Sequence, residues 1–315
     1  MINFNQLRIF YHAAKYQNFT ITAKKLCITQ PAVTAQVKLL EEHCSLKLFK
    51  KKGRKTYLTD EGKILHDYAI RIFEYEKEIE DVIEDMKDLK RGVLRLGTTK
   101  TYARYFVPFL MTSFHESYPN IKINLDEGSS LDMIYSLLDL RNEVAVIAKA
   151  EDNPNICFIP FSQEELVVIL SPDHHLAHKK GLSFRELAQE PIIMKEIGSG
   201  TRKLVNELFS LNDCIPNILM ETSNTEFIKQ LVQQGEGISF VVREAVAVEI
   251  QEKKLAVVPL EDGNIFLDVS IAYLKDQYLS RPAQGFVDIL KRLVPEDMPP
   301  QGIGALTAKI LARRK

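Results

Sequence analysis

A mixed α/β protein in three parts is predicted from three observations. Residues 1–59 carry closely spaced amphipathic helices followed by a basic hairpin, and residues 60–90 form one long helical stretch with a regular apolar seam. After Arg91-Gly92, short apolar runs alternate with helical segments.

The first helical pattern runs from Phe4 to Tyr16, with apolar residues at Leu7, Phe10, Tyr11 and Ala14. A second follows Asn18-Phe19-Thr20 and carries Ala23 and Leu26. Thr29-Gln30-Pro31 then reads as a helix start, because a Thr hydroxyl caps well and Pro is tolerated in the first turn. The third helix sets Val33, Val37 and Leu40 on one face, the spacing of a buried stripe. Its other face offers Gln30, Thr34 and Lys38, groups able to reach base edges and phosphates. Thr20, Thr29 and Pro31, at the two helix starts, complete this candidate surface.

The run Lys50-Lys51-Lys52-Gly53-Arg54-Lys55 lies between Leu48-Phe49 and Tyr57-Leu58 and reads as a two-stranded wing turning at Gly53. A basic run alone is most often a solvated hairpin. Beside a three-helix head, Lys50, Lys51, Lys52 and Arg54 become candidate phosphate contacts. The charge distribution agrees. Residues 1–66 hold 12 Lys/Arg against 4 Asp/Glu, and residues 67–90 hold 4 against 9, in a chain of net charge −1. Phosphate neutralisation dominates sequence-independent affinity, so double-stranded DNA is the expected partner.

In the long helix, Leu65, Tyr68, Ile72, Tyr75, Ile79, Val82 and Met86 recur at alternating steps of three and four, as in the seam of paired helices. An amphipathic helix lying on its own domain would show a similar stripe. The acidic outer face, from Glu74 to Asp85, favours a helix that projects between domains.

Beyond it, strands at Val93–Gly97, Ile121–Leu125 and Val144–Ala148 alternate with helices over 102–117 and 130–139. That order argues for a largely parallel, helix-covered sheet. A second unit offers strands at Leu166–Leu170, Ile192–Lys195, Ile218–Glu221, Ile238–Val242 and Leu255–Pro259. Its helices fall near 184–188, 200–210, 224–234 and 243–252, before a last strand, Phe266–Tyr273, and a helix over 282–293.

Ligands of such sheets bind at the carboxyl ends of strands, where helix N-termini offer free N–H groups. Four junctions carry suitable chemistry: Thr98-Thr99-Lys100-Thr101, Ser129-Ser130, Ser199-Gly200-Thr201-Arg202 and Ser223-Asn224-Thr225. Ser, Thr and Asn are also the ordinary helix caps. Together, though, Thr98, Thr99, Lys100, Thr101, Ser129, Ser199, Thr201, Arg202 and Thr225 point to a small anionic metabolite, since hydroxyls and two cations converge on it.

Other classes are disfavoured. His174, His175 and His178 share one loop, and further metal ligands at suitable spacing are missing. The sequence contains no Gly-x-Ser-x-Gly and no phosphate loop, so no catalytic residue, metal or cofactor is expected. Cys27, Cys44, Cys157 and Cys214 show no paired spacing; the first two sit among apolar positions of the head and are expected to be buried. No stretch reaches 18 apolar residues and the chain opens on a polar helix, so a cytoplasmic protein without membrane contact is expected. The basic head argues against a free-standing solute-binding protein.

The segment from Asn18-Phe19-Thr20 through Ala23, Leu26, Thr29-Gln30-Pro31-Ala32-Val33-Thr34, Leu40-Glu41, Leu46 and Leu48-Phe49 to Leu58-Thr59 and Gly62 resembles the LysR-type transcriptional regulators. Ala35 departs from the pattern, where many members carry a basic residue. The resemblance implies an N-terminal winged helix-turn-helix, a linker helix and a two-lobed effector domain similar to periplasmic solute-binding proteins. Residues 91–161 and 266–295 would form one lobe, 162–265 the other, and 296–315 a tail without a functional account. It further implies that the long helix makes a homodimer, which pairs into a homotetramer. Two heads would read an interrupted dyad operator, with RNA polymerase as a candidate partner. Thr98–Tyr105, with Pro108 after it, also resembles the effector loop of the CysB branch, which holds an anion or an acylated amino acid; Tyr102 replaces a small polar position there. A DNA head acting without any effector is the alternative.

Overall fold

The computed structural model describes residues 1–52, 55–294 and 302, with the backbone alone at 51, 52 and 55. The wing turn at Gly53, the candidate Arg54 and all of the 296–315 tail except Gly302 lie outside the described residues. The chain divides into two compact units, Met1–Asp85 and Met86–Lys315.

The first unit begins with α1 (Phe4–Tyr16), whose first N–H groups are capped by Asn3, and α2 (Phe19–Lys25), capped in the same way by Asn18. Thr29 caps α3 (Gln30–Cys44), with Pro31 in its first turn. β1 (Phe49–Lys52) and β2 (Lys55–Leu58) pair antiparallel as the wing, Phe49 opposite Leu58. The core fills from both faces of α1: Leu7, Phe10 and Ala14 meet Leu40 and Leu48, while Ile9 and Ala13 meet Ala23, Val33 and Val37.

Helix α4 (Asp60–Lys87) starts where the Thr59 hydroxyl bridges Lys47 O (2.6 Å) and Gly62 N (3.0 Å). Gly62 is required by contact: a Cβ there would lie 2.1 Å from the Leu48 carbonyl oxygen. The apolar seam divides between two faces. Leu65, Ile72 and Phe73 pack with Ala69 on the core of the head, whereas Tyr68, Tyr75, Ile79 and Met86 stay exposed. Ile72 therefore serves an intrachain contact. Cys44 packs partly against the core, but Cys27 is exposed, in a turn with φ of 54°.

The second unit runs through β3 (Gly92–Thr99), α5 (Lys100–Tyr105), α6 (Val107–Ser117), β4 (Ile121–Gly128), α7 (Ser130–Leu138), β5 (Val144–Ala148) and β6 (Ile156–Leu170). Then come α8 (Phe184–Leu187), β7 (Ile192–Lys195), α9 (Gly200–Leu211), β8 (Ile218–Thr222), α10 (Thr225–Gln233) and β9 (Ser239–Val242). A 3-10 turn (Arg243–Val246), α11 (Ala247–Gln251), β10 (Ala256–Val258), β11 (Ile265–Leu274) and α12 (Arg281–Leu293) complete it.

Among the described residues one sheet is ordered β10-β6-β11-β5-β3-β4, with β9 also on β6, and β7 pairs with β8 in a smaller one. β3 lies parallel to β4 and β5, but β11 is antiparallel to both β5 and β6, and β9 and β10 are antiparallel to β6. The sheet is thus mixed. The reason is topological: β6 runs out of the first lobe into the second, and β11 runs back beside it. A register shift between Val269 and Ser270 interrupts that pair.

Two local expectations change. The helix expected over 102–117 is broken at Phe106 (φ −122°, ψ −46°), ahead of Pro108, which has no N–H to continue the ladder. The first ten residues of β6 were not expected as strand, because Pro160 and half-exposed residues interrupt its apolar run.

Candidate functional site

Two surfaces gather the candidate residues. On the head, Gln30, Pro31, Thr34 and Lys38 are exposed along α3. Gln30 Nε2 donates to Thr34 Oγ1 (2.9 Å), and that hydroxyl donates to Gln30 O (3.1 Å), so the two side chains form one pre-oriented pair. Lys38 Nζ lies 3.5 Å from Glu42, a solvent-exposed pairing that releases easily. Thr29 spends its hydroxyl on the Ala32 N–H (3.3 Å). Thr20 is exposed in the first turn of α2, and Lys50 is exposed on β1. Lys51 and Lys52 lie on the same strand by their backbone.

Glu41 ties this helix to the wing. Its buried carboxylate accepts from Leu48 N (2.8 Å), Phe49 N (3.2 Å) and Lys47 Nζ (3.0 Å). Burial pushes its pKa up, but those bonds outweigh it and hold the group below the usual carboxylate range.

In the second unit, three strand-to-helix junctions enclose a chamber of about 30 Å³ between the lobes. Thr99, Lys100 and Thr101 enter from the start of α5, Ser129 and Ser130 from the start of α7, and Ser199 and Thr201 from the start of α9. Ser129 caps α7 in a reciprocal box with Asp132, and Thr99 caps Tyr102 N (3.4 Å). Ser199 makes no capping bond with its side chain. The α9 start can come this close because residue 200 is glycine: a Cβ would lie 2.6 Å from that of Ala148. Across the lobes, Lys100 Nζ donates to Ser223 Oγ (2.7 Å), Thr101 and Thr225 hydroxyls meet at 3.3 Å, and Leu131 N donates to Gly198 O (3.1 Å). Lys100 and Thr101 also border an outer recess of about 380 Å³ with Ser223, Asn224 and Thr225.

Two candidates point elsewhere. Thr98 is fully buried and donates to Val146 O (2.9 Å), bracing β3 against β5. Arg202 donates to Lys195 O (3.2 Å) and to Glu221 (2.6 Å), and does not line the chamber.

Three residues emerge that were outside the candidate set. Lys195, only 8% exposed at the carboxyl end of β7, lines the chamber and donates to Ser223 O (2.8 Å) and Thr225 Oγ1 (3.3 Å). Burial pushes its pKa down, Glu196 opposes that, and Lys100 adds to it. The hydroxyl of Ser130, buried in the chamber wall, has no hydrogen-bond partner among the described residues, whereas that of Tyr102, buried in the same wall, lies beside Ser162 and Glu164. The strand-end rule could have flagged Lys195. In the sequence Tyr102 stands out only as a departure from the pattern of the CysB-like loop.

His174, His175 and Glu190 also cluster, their ligand atoms within 4.8 Å of one another. His174 Nδ1, however, accepts from Leu176 N (3.3 Å), which leaves the proton of the neutral ring on Nε2, facing Glu190. That tautomer is set for a carboxylate, since a metal-bound imidazole normally donates through its other nitrogen.

Residues 4–63 match the model of the bacterial regulatory helix-turn-helix protein, lysR family, and residues 87–295 match the LysR substrate binding domain. The chain belongs to the LysR family of transcriptional regulators. It is 37% identical over 286 residues to the HTH-type transcriptional activator CmpR of Synechocystis sp., covering 91% of this chain and 94% of that protein. The RuBisCO operon transcriptional regulator of Allochromatium vinosum is 30% identical, over 90% of this chain and 94% of the relative. Among solved structures, the regulatory domain of Synechocystis CcmR in complex with 2-PG superposes with a TM-score of 0.61 at 29% identity, covering 66% of this chain and 100% of that one. A full-length OxyR variant from Pseudomonas aeruginosa shares the fold, with a TM-score of 0.72 at 21% identity over 92% of this chain and 100% of that one. This LysR-type protein is a DNA-binding regulator with an effector-binding domain, and its relatives are regulators rather than enzymes. No described helix is long and apolar enough to cross a membrane.

Proposed function

We propose that this LysR-type regulator binds an interrupted dyad in double-stranded DNA through paired heads, under the control of a small anionic, phosphate- or carboxylate-bearing metabolite held between the lobes. The observation that carries the effector reading is the buried Lys195 ammonium, in a chamber where the Ser130 hydroxyl lacks a partner among the described residues. A buried unpartnered hydroxyl costs about 1–3 kcal/mol, which a polar ligand removes. Thr99, Thr101, Ser199 and Thr201 add donors around the same space. The CcmR domain, similar over the same region, binds 2-PG, an example of such an effector.

At about 30 Å³ the chamber is far smaller than the roughly 300 Å³ at which ligand sites begin. The lobes therefore part to admit the effector, exchanging the Lys100–Ser223 and Thr101–Thr225 contacts for ligand contacts. That differential binding gives the effector leverage over the heads. The exposed stripe Tyr68, Tyr75, Ile79 and Met86 on α4 supplies the seam of a homodimer. Residues 1–59, 60–90 and 91–295 then act as reader, coupler and sensor. Pairing of dimers into a homotetramer, and contact with RNA polymerase in the cytoplasm, extend the same reading.

The test is calorimetry of the full-length protein with 2-PG, inorganic phosphate and small carboxylates. Lys195→Met and Thr101→Ala should each weaken binding about tenfold or more, because charge-assisted bonds are worth roughly 1.5–3 kcal/mol. An anion whose affinity ignores both substitutions would place the effector site elsewhere.

A further inference from the structure

A second cavity in the second unit is distinct from the chamber. It measures about 500 Å³ and opens beside β6 and β11, where the register shift at Val269/Ser270 interrupts their pairing. Bulged pairings bend a strand and open space at its flank, and they recur next to binding sites. A cavity of this volume falls in the range of small-molecule sites.

Its chemistry is arranged in two halves. Phe158 and Phe266 contribute aromatic rings from the two crossing strands, joined by Leu204 from α9. Phe266 is 49% exposed, a large apolar group left about half uncovered among the described residues. On the other side stand two cations. Lys149, just past β5, lies with its ammonium 5.4 Å from the centre of the Phe158 ring, and Lys203 comes from the first turn of α9. Their carboxylate partners, Asp152 and Glu207, form exposed pairs that a ligand anion can replace at small cost. Gly200, in the same first turn, also lines the space and brings the positive end of the twelve-residue α9 with it. The remaining acid of the lining, Asp268, is already occupied by Gln163 Nε2 at 2.8 Å.

We propose that this cavity is a second effector site, for an organic anion with a flat apolar body: the ring system lies against Phe266 and Leu204, and the carboxylate or sulfonate meets Lys203 and Lys149. Gly200 and Leu267 line both this cavity and the chamber between the lobes, so an occupant here bears on the same α9 turn that carries Ser199 and Thr201. It also braces β6 and β11, the two strands that cross from lobe to lobe. Two ligands that act on one moving element are coupled, each altering the affinity of the other by the same factor.

The experiment titrates full-length protein with 1-naphthoate, an aromatic carboxylate, by calorimetry, alongside thermal denaturation of each variant. One saturable site per chain is expected. Lys203→Glu and Phe266→Ala should each raise its dissociation constant about tenfold, since one removes a charge-assisted contact and the other a stacking surface. Leu204→Trp, which narrows the cavity at its apolar wall, should weaken binding while the thermal midpoint shows a folded protein. Thr101→Ala, which acts in the chamber, should change the constant by less than about twofold, as expected for residues that share no contact. The proposal is overturned if Thr101→Ala abolishes binding while Phe266→Ala leaves it intact, because the anion then occupies the chamber. It is equally overturned if 1-naphthoate shows no saturable binding at millimolar concentration, or binding indifferent to all the variants.

Discussion

The recognition face of α3 and the chamber between the lobes are both built around helix N-termini, yet they use their side chains in opposite ways. On α3, Gln30, Thr34 and Lys38 project into solvent, and their contacts are confined to neighbours on the same helix. At the chamber, Lys100, Thr101 and Lys195 bond outward to Ser223 and Thr225 of the adjoining recess, and the Lys100 and Thr101 bonds cross from lobe to lobe. A convex reader needs separate groups that meet a partner one at a time. A concave sensor needs groups whose positions depend on one another, because only then does a ligand at one point move the whole.

Steric tolerance should separate the two regions most sharply. Gly200→Ala places a methyl group 2.6 Å from Ala148 Cβ, so the α9 start must shift. A loss of about 1–3 kcal/mol of stability, with loss of the effector response, is expected from thermal denaturation and calorimetry. Ala35→Ser, a change of similar size on the exposed face of α3, should stay within about 0.5 kcal/mol of the parent. Equal effects would break the distinction.

Coupling is the next measure. A double-mutant cycle on Thr101→Ala and Thr225→Ala, read as anion affinity, should show an interaction term of about 0.5–3 kcal/mol. The cycle Thr20→Ala and Lys38→Ala, read as operator affinity at fixed salt, should be additive within about 0.5 kcal/mol. Gln30→Ala alone should remove about 1–3 kcal/mol of base discrimination.

The smallest effects are those of pH, and they run in opposite directions. Glu41 has a depressed folded pKa, so its stabilisation of the head is complete above the unfolded value and is lost as pH falls through the folded one. Acid denaturation followed by circular dichroism should show this loss, and Glu41→Gln should flatten it. The folded pKa of Lys195 is also depressed, but for a base this means that the charge is shed earlier on the alkaline side. Anion affinity should therefore fall as pH rises through the lowered value, with proton uptake on binding. An affinity constant across that range would remove Lys195 from the anion site.

How far each region could be read from sequence follows the same division. The cap Thr29, the first-turn proline Pro31 and the stripe Val33, Val37, Leu40 all act within a few residues of themselves, and they appear as expected. The long-helix seam shows the limit of such reading. Its period identifies a helix with apolar residues on two neighbouring faces, but Ile72 and Ile79 have the same local character. One packs on the head and the other is 60% exposed, and only folded contacts distinguish them. Cys27 likewise sits in an apolar setting along the chain, yet its left-handed turn carries it to the surface.

By itself the sequence determined the helices of the head, the wing, the α/β alternation and the positions of the hydroxyl-rich junctions, because caps, charge runs and apolar periods are properties of adjacent residues. Only the tertiary structure decided that β11 returns antiparallel between β5 and β6, that Arg202 turns to Glu221, and that Lys195 with Ser130 and Tyr102 faces the chamber. Those outcomes join residues many positions apart. They depend on which strands pair and which lobe covers which side chain, and no local rule of propensity or spacing contains that information.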